Sequence, residues 1–377
     1  MSGRGHIKKR SSDSWSIVIS AGVDPSTGKR RRVWRTVRGT KKQAMQQLTK
    51  LLAENDQGMP PTAGNTKLVD YLREWIDSIV KHRNTARTMQ GYSTICREHI
   101  VPACGEIPLH QLQPFHIDRL MNSILEKGRS ANTANHVFTV LRKALNDAER
   151  RGAIARNPCR LTSPPRMTPY IVEQPSVEHV KDVLELARLD GRYGSIIEFM
   201  ARTGVRRGEA VAIKWHNLDL DRGVAEIVES ASRVTGVGLV MSPTKTTSGR
   251  RTLYLDTRTI SLLRRWRARQ ASQVLAGGAF YDDDGFVYAN ELGKPLDPDH
   301  LSHAFKKHAR AAEHPRLRLH DLRHFHAFGL IATNAHPKIV QERLGHSSAA
   351  FTMQVYGHGS ELLQRDATEK FASFLDA

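Results

Sequence analysis

Two interruptions constrain the fold of this 377-residue chain more than any other feature of its sequence. Residues 57–64 read QGMPPTAG, and residues 160–169 read RLTSPPRMTP. Stretches that rich in proline, glycine and serine do not continue a helix or a strand and are typical of linkers. A chain of this length can bury two or three separate cores. We therefore predict three domains, at residues 1–60, 66–162 and 170–377.

The first segment has a β pattern followed by a helical one. Residues 15–20 (WSIVIS) and 33–37 (VWRTV) are rich in β-branched and aromatic side chains, and the turn-forming DPSTG lies between them. Residues 41–54 follow with apolar side chains at helical spacing, namely Ala44, Leu48, Leu51 and Leu52. We expect a β-hairpin and then a helix.

Basic residues cluster on and beside the returning strand, at Lys29, Arg30, Arg31, Arg32, Arg35 and Arg38. The whole chain has a net charge of +19 and a pI of about 10.1, which suits a polyanionic partner, with nucleic acid the first candidate. A β-ribbon of this size fits a DNA major groove, where arginines meet phosphates and guanine edges. The alternative is an ordinary solvated sheet face.

The second segment has the pattern of a small helical bundle. Its first helix carries an apolar stripe at Leu68, Leu72, Trp75, Ile76 and Ile79. We expect a second helix over residues 85–100, closed by Pro102, and a third from Pro114 to Gly128. Asn132 or Thr133 is predicted to cap a fourth helix, whose inward residues are Val137, Leu141, Ala144, Leu145 and Ala148. These stripes indicate a core and not a cofactor site.

The third segment reads as mostly helical, with one β patch. Residues 224–228 (VAEIV) and 251–255 (RTLYL) have strand character, and the polar turn region of residues 242–250 lies between them. The C-terminal stretch, residues 361–375, carries an amphipathic apolar stripe that packs either on its own domain or on a neighbouring subunit.

Several classes of protein are disfavoured by what the sequence lacks. The three cysteines, Cys96, Cys104 and Cys159, are sparse and contain no CxxC pair, which argues against a disulfide framework or a zinc site. There is no phosphate-binding G-x-x-x-x-G-K-[ST] and no H-E-x-x-H. We therefore expect neither a metal nor another cofactor. No apolar run is long enough to span a bilayer, and the basic amino terminus lacks a secretory signal, so we expect no membrane association and an intracellular location.

Four short motifs carry candidate chemistry. In RLHDLRH, His320 and Arg323 are three residues apart, so on a helix they share a face. The stretch TGVRRGE places Arg206 after a glycine break, with Glu209 one turn on to orient it. The stretch LGHSS places His346 at an expected helix start capped by Ser347 or Ser348, and VYGH contains Tyr356.

These motifs, in this order and spacing, resemble the signature of the tyrosine recombinase (phage integrase) family. The resemblance covers the third segment, and the bundle is similar to the family's core-site-binding domain. The basic first segment resembles the arm-site-binding domain of integrases from phages and conjugative elements. The resemblance as a whole implies a multidomain, mainly α fold with small β elements. A three-stranded sheet plus helix would precede a helical core-binding domain and an α-rich catalytic domain with a small antiparallel sheet, as in tyrosine recombinases and type IB topoisomerases.

The resemblance also implies a catalytic set: Arg206, Lys245, His320, Arg323, His346 and the nucleophile Tyr356. The resemblance places the lysine on a turn between two strands, where Lys245 is the match; Lys214 is a rival that we interpret as structural. Arg207, Arg250, Arg251 and His324 stay undecided between backbone contacts and structure, while His326 and His336 are expected to be structural.

By the same resemblance the chain would integrate a phage or mobile element into a bacterial chromosome, and with a partner excise it, working in the cytoplasm at the nucleoid. Its partners would be duplex attachment sites of core and arm type and three further copies of the chain in a tetramer. A host DNA-bending protein and an excisionase would join them. Two rivals remain: a type IB topoisomerase that relaxes supercoils, and a DNA-binding regulator that has lost catalysis.

Overall fold

The computed structural model describes residues 5–23, 30–56, 66–166, 175–244, 249–346 and 361–376. The chain divides into two compact units, an N-terminal unit of residues 1–169 and a C-terminal unit of residues 170–377. The N-terminal unit contains two separate hydrophobic cores. Across the described ranges no helix is both long enough and apolar enough to cross a membrane.

The first core lies between a three-stranded antiparallel sheet and one helix. The elements are β1 (Gly5–Ser11), β2 (Ser14–Val23), β3 (Arg30–Arg38) and α1 (Lys41–Asp56), with sheet order β1-β2-β3. The predicted hairpin is β2 and β3, and the three-stranded sheet is confirmed. The small core is formed by Ile17, Ile19, Leu48 and Leu51.

The start of α1 follows from its sequence. Thr40 Oγ1 accepts the backbone N–H of Gln43 at 3.3 Å, and the Gln43 side chain accepts the backbone N–H of Thr40 at 2.8 Å. This reciprocal arrangement is a capping box, which satisfies two of the amides that a helix start leaves without partners.

The second core belongs to a bundle of helices. They are α2 (Leu68–Trp75), α3 (Lys81–Arg83), α4 (Ala86–Ile95), α5 (Val101–Cys104), α6 (Pro114–Glu126) and α7 (Ala131–Arg150). The π-helical turns Ile76–Val80 and Cys96–Ile100 join α2 to α3 and α4 to α5. The predicted inward residues of α7 are buried, as is the α2 stripe apart from Ile76, which is partly buried.

Two predicted boundaries in the bundle were wrong. The second helix does not close at Pro102, because the π turn lets the Val101 amide bond the Cys96 carbonyl and places the proline in the first turn of α5. A proline is tolerated there because it lacks only an amide that needs no helical partner. The cap of α7 is Ser130, whose Oγ accepts the Thr133 amide at 3.2 Å; Asn132 and Thr133 lie inside the first turn.

The C-terminal unit is mostly helical. Its helices are α8 (Val177–Arg188), α9 (Gly194–Thr203), α10 (Arg207–Ala212), α11 (Thr257–Gly277), α12 (Pro298–Ala311), α13 (Asp321–Ala332), α14 (Pro337–Leu344) and a C-terminal helix (Glu361–Leu375). Its strands are β4 (Leu218–Asp219), β5 (Val224–Ile227), β6 (Glu229–Val234), β7 (Gly238–Pro243) and β8 (Arg251–Tyr254).

The predicted strands β5 and β8 pair antiparallel, with Val224 opposite Tyr254 and Ile227 opposite Arg251. A second hairpin, β6 with β7, was not predicted. Its strands read ESASRV and GLVMSP, which lack the dense β-branched and aromatic pattern that marked the other two. Lys245 therefore lies in the sequence between β7 and β8.

Helix α9 runs through the middle of the C-terminal core. Ile196, Ile197, Phe199 and Met200 are all buried, so the helix is apolar around most of its circumference, as expected of a central helix. The Phe199 ring packs against Tyr288 at a centroid distance of 5.9 Å. A helix fixed in this way holds whatever follows its carboxyl end in a defined position.

We predict that Tyr71→Phe lowers the stability of the bundle by about 1 kcal/mol, because the buried Tyr71 hydroxyl donates to the Ala144 carbonyl at 2.8 Å. Tyr92→Phe is the matched control, since the Tyr92 hydroxyl is partly exposed and accepts from the Lys143 side chain at 3.2 Å. Calorimetric melting of both variants checks this. Equal melting temperatures for the two variants would contradict it.

Candidate active site

The residues of the site follow a glycine, Gly204, that ends α9. Gly204 has φ +67°, the left-handed conformation that ends many helices. A Cβ at this position would lie 2.6 Å from Cδ2 of His326, so space as well as backbone conformation requires glycine. The chain turns here and presents Arg206 at the N-cap of α10.

Arg206 is held by Glu209, as the sequence predicted. Its backbone N–H donates to Glu209 Oε2 at 2.9 Å, and its Nη1 donates to Glu209 Oε1 at 2.7 Å. Its Nη2 donates to the Gly345 carbonyl at 3.0 Å. The Arg206 side chain is 41% exposed and the Glu209 side chain only 3%. The guanidinium is therefore held by a buried carboxylate and is still accessible to a ligand.

Arg251 is the second partner of Glu209, and its role was left undecided by the sequence. Its Nη2 donates to Glu209 Oε2 at 2.8 Å and its Nη1 to Oε1 at 3.2 Å. Its Nε donates to the Arg343 carbonyl at 2.7 Å, and Nη1 also donates to the Gly249 carbonyl at 3.1 Å. The side chain is 6% exposed, so Arg251 is a structural residue that connects β8 to α10, to α14 and to Gly249.

The charge of Glu209 depends on these arginines. Burial alone would raise the pKa of Glu209, but the hydrogen bonds and charge of Arg251, with the charge of Arg206, hold that pKa below its usual value. Glu209 is therefore a carboxylate at neutral pH and fixes both guanidinium groups.

Arg323 lies in the first turn of α13 and is buried. Its Nη1 donates to the Gly204 carbonyl at 2.8 Å and its Nη2 to the Leu344 carbonyl at 2.5 Å. These carbonyls stand at the ends of α9 and α14, where helices leave acceptors without partners and the helix dipole is negative. Two helix ends thus hold the second arginine beside the first.

His320 occupies the N-cap position of α13, one turn before Arg323. Burial, followed by the charge of Arg323, lowers the pKa of His320 below its ordinary value. The ring of His324 meets it edge-on at a centroid distance of 4.9 Å, and burial lowers the pKa of His324 to about 4. Both imidazoles are therefore neutral at pH 7, and a neutral imidazole can accept a proton.

His346 follows Gly345, which ends α14 with φ +65°, and the imidazole residue is buried. Burial, then the charges of Arg323 and Arg206, lower the pKa of His346 to about 3. His346 therefore lies within electrostatic reach of both arginines. The predicted helix start at Ser347 or Ser348 lies outside the described residues.

The two arginines of RLHDLRH are held by different partners. Asp321 is buried, and its Oδ1 accepts from Arg318 Nη2 at 2.7 Å while its Oδ2 accepts the Arg318 backbone amide at 2.8 Å. Arg318 is thus held by an ion pair, whereas Arg323 is held by backbone carbonyls.

The structure brings together four of the six predicted catalytic residues: Arg206, His320, Arg323 and His346. Lys245 and Tyr356 lie outside the described residues. The rival Lys214 has its Nζ 4.7 Å from the centre of the Phe286 ring and pairs with Phe286 through the backbone, which supports the structural interpretation.

The remaining candidates are also located. Arg207 donates to Asp299 at 3.0 Å and Ser302 at 2.7 Å. His326 accepts from Arg343 Nε at 3.0 Å, and His336 caps α14, so both are structural as predicted. Arg250 is exposed.

The predicted DNA-binding arginines belong to β3. Arg35 and Arg38 are exposed, and they lie on opposite faces of the strand. The side chains of Arg30, Arg31 and Arg32 lie outside the described part of the chain.

Known families match most of the chain. The profile of the Phage integrase family matches residues 173–362, and that of the phage integrase N-terminal SAM-like domain matches residues 67–125. The chain is similar to an integrase of Saccharopolyspora erythraea, at 25% identity over 99% of this chain and 97% of that protein. It is also similar to the ICEBs1 integrase of Bacillus subtilis, at 25% identity over 98% of this chain and 100% of that protein.

Solved structures share the fold. The Tn1549 transposon integrase, in complex with a circular intermediate DNA, superposes with a TM-score of 0.68 at 19% identity, over 81% of this chain and 99% of that one. A lambda integrase dimer bound to a core site superposes with a TM-score of 0.58 at 17% identity, over 94% of this chain and 96% of that one. The predicted fold class is thereby confirmed.

We expect Glu209→Gln to destabilise the C-terminal unit by roughly 3 kcal/mol or more, since it leaves the buried Arg251 guanidinium without its counter-charge. Asp221→Asn is the matched control: it removes the partner of Arg264 in an exposed pair, which contributes little. Scanning calorimetry of both variants compares the two losses. Similar small losses would show that Glu209 is not the anchor described here.

Acid should destabilise the C-terminal unit before its carboxylates titrate. The folded pKa values are about 4 for His324 and about 3 for His326 and His346, well below the ordinary value of 6.5. The unfolded chain therefore binds protons that the folded chain excludes. The stability that the neutral histidines contribute is fully present above about pH 7 and is lost progressively as pH drops below 6.5. Each histidine contributes up to about 1.4 kcal/mol per pH unit. A melting temperature of this unit that is constant from pH 7 to pH 5 would contradict the buried, neutral histidines.

Proposed function

The chain belongs to the phage integrase family, and on that premise we propose that it is a site-specific recombinase that cleaves and rejoins DNA through a 3′-phosphotyrosyl bond at Tyr356. We propose further that it integrates, and with a partner excises, a phage or mobile element. The observation that carries the mechanism is the cluster of Arg206, Arg323, His320 and His346, in which protein contacts hold both arginines.

Each arginine would stabilise the reacting phosphate. Attack on a phosphodiester adds negative charge to the non-bridging oxygens, and guanidinium donors fixed in advance stabilise it without reorganisation. The exposed side of Arg206 and the buried, helix-anchored Arg323 suit this role. His346 would donate a further hydrogen bond to the same phosphate.

The proton transfers would balance as follows. His320, neutral because of its lowered pKa, takes the Tyr356 proton as the phenolic oxygen attacks phosphorus and forms the phosphotyrosyl bond. The bond from phosphorus to the 5′ oxygen breaks, and Lys245 gives the departing oxygen its proton. The new bond conserves energy, so another 5′-hydroxyl can reverse the step without ATP.

We assign the domains and partners by the same proposal. Residues 170–377 would cleave the DNA, and residues 66–162 would bind the core site. Residues 1–60 would bind arm sites through Arg30, Arg31, Arg32, Arg35 and Arg38. In solved structures lambda integrase is a dimer on a core site and a tetramer on a Holliday junction. We propose a tetramer here too, acting in the bacterial cytoplasm at the nucleoid, with a host DNA-bending protein and an excisionase.

The C-terminal helix supports assembly between subunits. Phe371 is 61% exposed, Phe374 is 76% exposed and Leu375 is 67% exposed. Large apolar side chains exposed together mark a contact surface. We propose that this helix packs on a neighbouring subunit rather than on its own unit.

A nicked attachment-site duplex, which traps the covalent intermediate, tests the proposal. Wild-type protein should form an adduct resistant to denaturant, and Tyr356→Phe should bind the duplex with unchanged affinity but form none. Tyr254→Phe is the control, because Tyr254 is an exposed tyrosine of the same unit, 72% exposed, and should keep the adduct.

Ordinary binding without any wild-type adduct would favour the catalytically inactive regulator. Relaxation of a plasmid with one attachment site, with no recombination when two are present, would favour the topoisomerase.

A further inference from the structure

A cavity of about 680 Å³ lies in the C-terminal unit, apart from the catalytic cluster. It is bordered by Arg188 of α8, by Gly194 and Ser195 at the start of α9, and by one face of α11. The catalytic cluster lies at the other end of α9, and a ten-residue helix is about 15 Å long. The cavity is therefore a separate site.

Three arginines line this cavity from α11: Arg258, Arg265 and Arg269. Spacings of seven and four residues place them on one side of the helix, and all three are exposed. Among the described residues none of them forms an ion pair. We call them the α11 arginine face.

The carboxylates in the cavity do not neutralise this face. Glu198 accepts from Arg188 Nε at 3.1 Å and from Arg202 Nε at 2.9 Å. Asp190 accepts the Arg192 amide at 2.8 Å and lies 3.0 Å from His308 Nε2. Neither acid forms an ion pair with an arginine of α11 within the described residues.

The cavity has one further feature of a built site. The Oγ of Ser195, in the first turn of α9, is buried and has no hydrogen-bond partner within the described structure. Arg269 lies over the Trp266 ring at 5.8 Å from its centre, and Arg258 and Arg265 form no ion pair among the described residues. An unused hydroxyl beside such guanidinium groups suits an oxyanion ligand.

The opposite side of α11 differs. Arg264 Nη2 donates to Asp221 at 2.8 Å, and the Arg267 guanidinium stacks over Trp215 at 5.2 Å from the ring centre. These two arginines are thus occupied by other side chains of the same unit, and they provide a control on the same helix.

We propose that the α11 arginine face is a second binding site for the phosphate backbone of duplex DNA, separate from the scissile phosphate; this rests on the proposed function. Along α11 the three arginines are about 10 Å and about 6 Å apart in rise, so they match a track of phosphates better than a single ion. The planar forks of arginine fit phosphate oxygens.

Two matched double variants test it, each removing two charges from α11. Arg258→Gln/Arg265→Gln changes the proposed site, and Arg264→Gln/Arg267→Gln changes the opposite side. Affinity for a short random-sequence duplex is measured against salt concentration. Each lost phosphate contact flattens the slope of log K against log salt by about 0.9. We therefore expect the slope to flatten by about 2 for the first variant and to stay near the wild-type slope for the second.

Equal effects of the two variants, or no effect of the first, would overturn the site. Inorganic phosphate is titrated separately by calorimetry at constant ionic strength. If the first variant loses phosphate binding but keeps the wild-type DNA slope, the ligand is a free phosphate and the DNA assignment is wrong. The wild-type adduct assay decides the proposed function independently, since an intact adduct with an unchanged slope rejects only this site.

Discussion

The site depends on one buried carboxylate. Glu209 lies between Arg206 and Arg251 and accepts bonds from both guanidinium groups and from the Arg206 amide. A buried charge that loses its partner costs several kcal/mol, so these residues form a unit that is either assembled or lost as a whole. Because Arg251 also bonds the Arg343 and Gly249 carbonyls, this single interaction sets the positions of α10, β8, the end of α14 and the loop before β8.

Carbonyl groups at the ends of two helices also hold the arginines of the site in position. The carbonyls of Gly204, Leu344 and Gly345 stand where α9 and α14 finish, and they accept bonds from Arg323 and Arg206. Partial negative charge at these ends offsets the repulsion between the two arginines. The same concentration of positive charge, added to burial, keeps the nearby imidazoles neutral. The guanidinium groups of the catalytic cluster are thus fixed by protein contacts, which is the condition for efficient electrostatic catalysis.

Local patterns were readable from the sequence, and distant contacts were not. The contact between Arg206 and Glu209 spans three residues and was predicted, whereas Arg251 meets Glu209 across 42 residues and no local pattern signals it. The π turn that admits Pro102 and the polar β6–β7 hairpin were missed for a related reason, since each departs from the regular periods that identify helices and strands. The roles of Lys245 and Tyr356 still rest on resemblance, because both lie outside the described residues.

A structure of the Tyr356→Phe protein on a duplex attachment site tests the central claim most directly. We expect the scissile phosphate to sit with its non-bridging oxygens within hydrogen-bond distance of Arg206 and Arg323, and the contacts of Glu209 with Arg206 and Arg251 to be unchanged from the free protein. A phosphate bound elsewhere, or a Glu209 that no longer contacts both arginines, would contradict a site held together by the buried carboxylate.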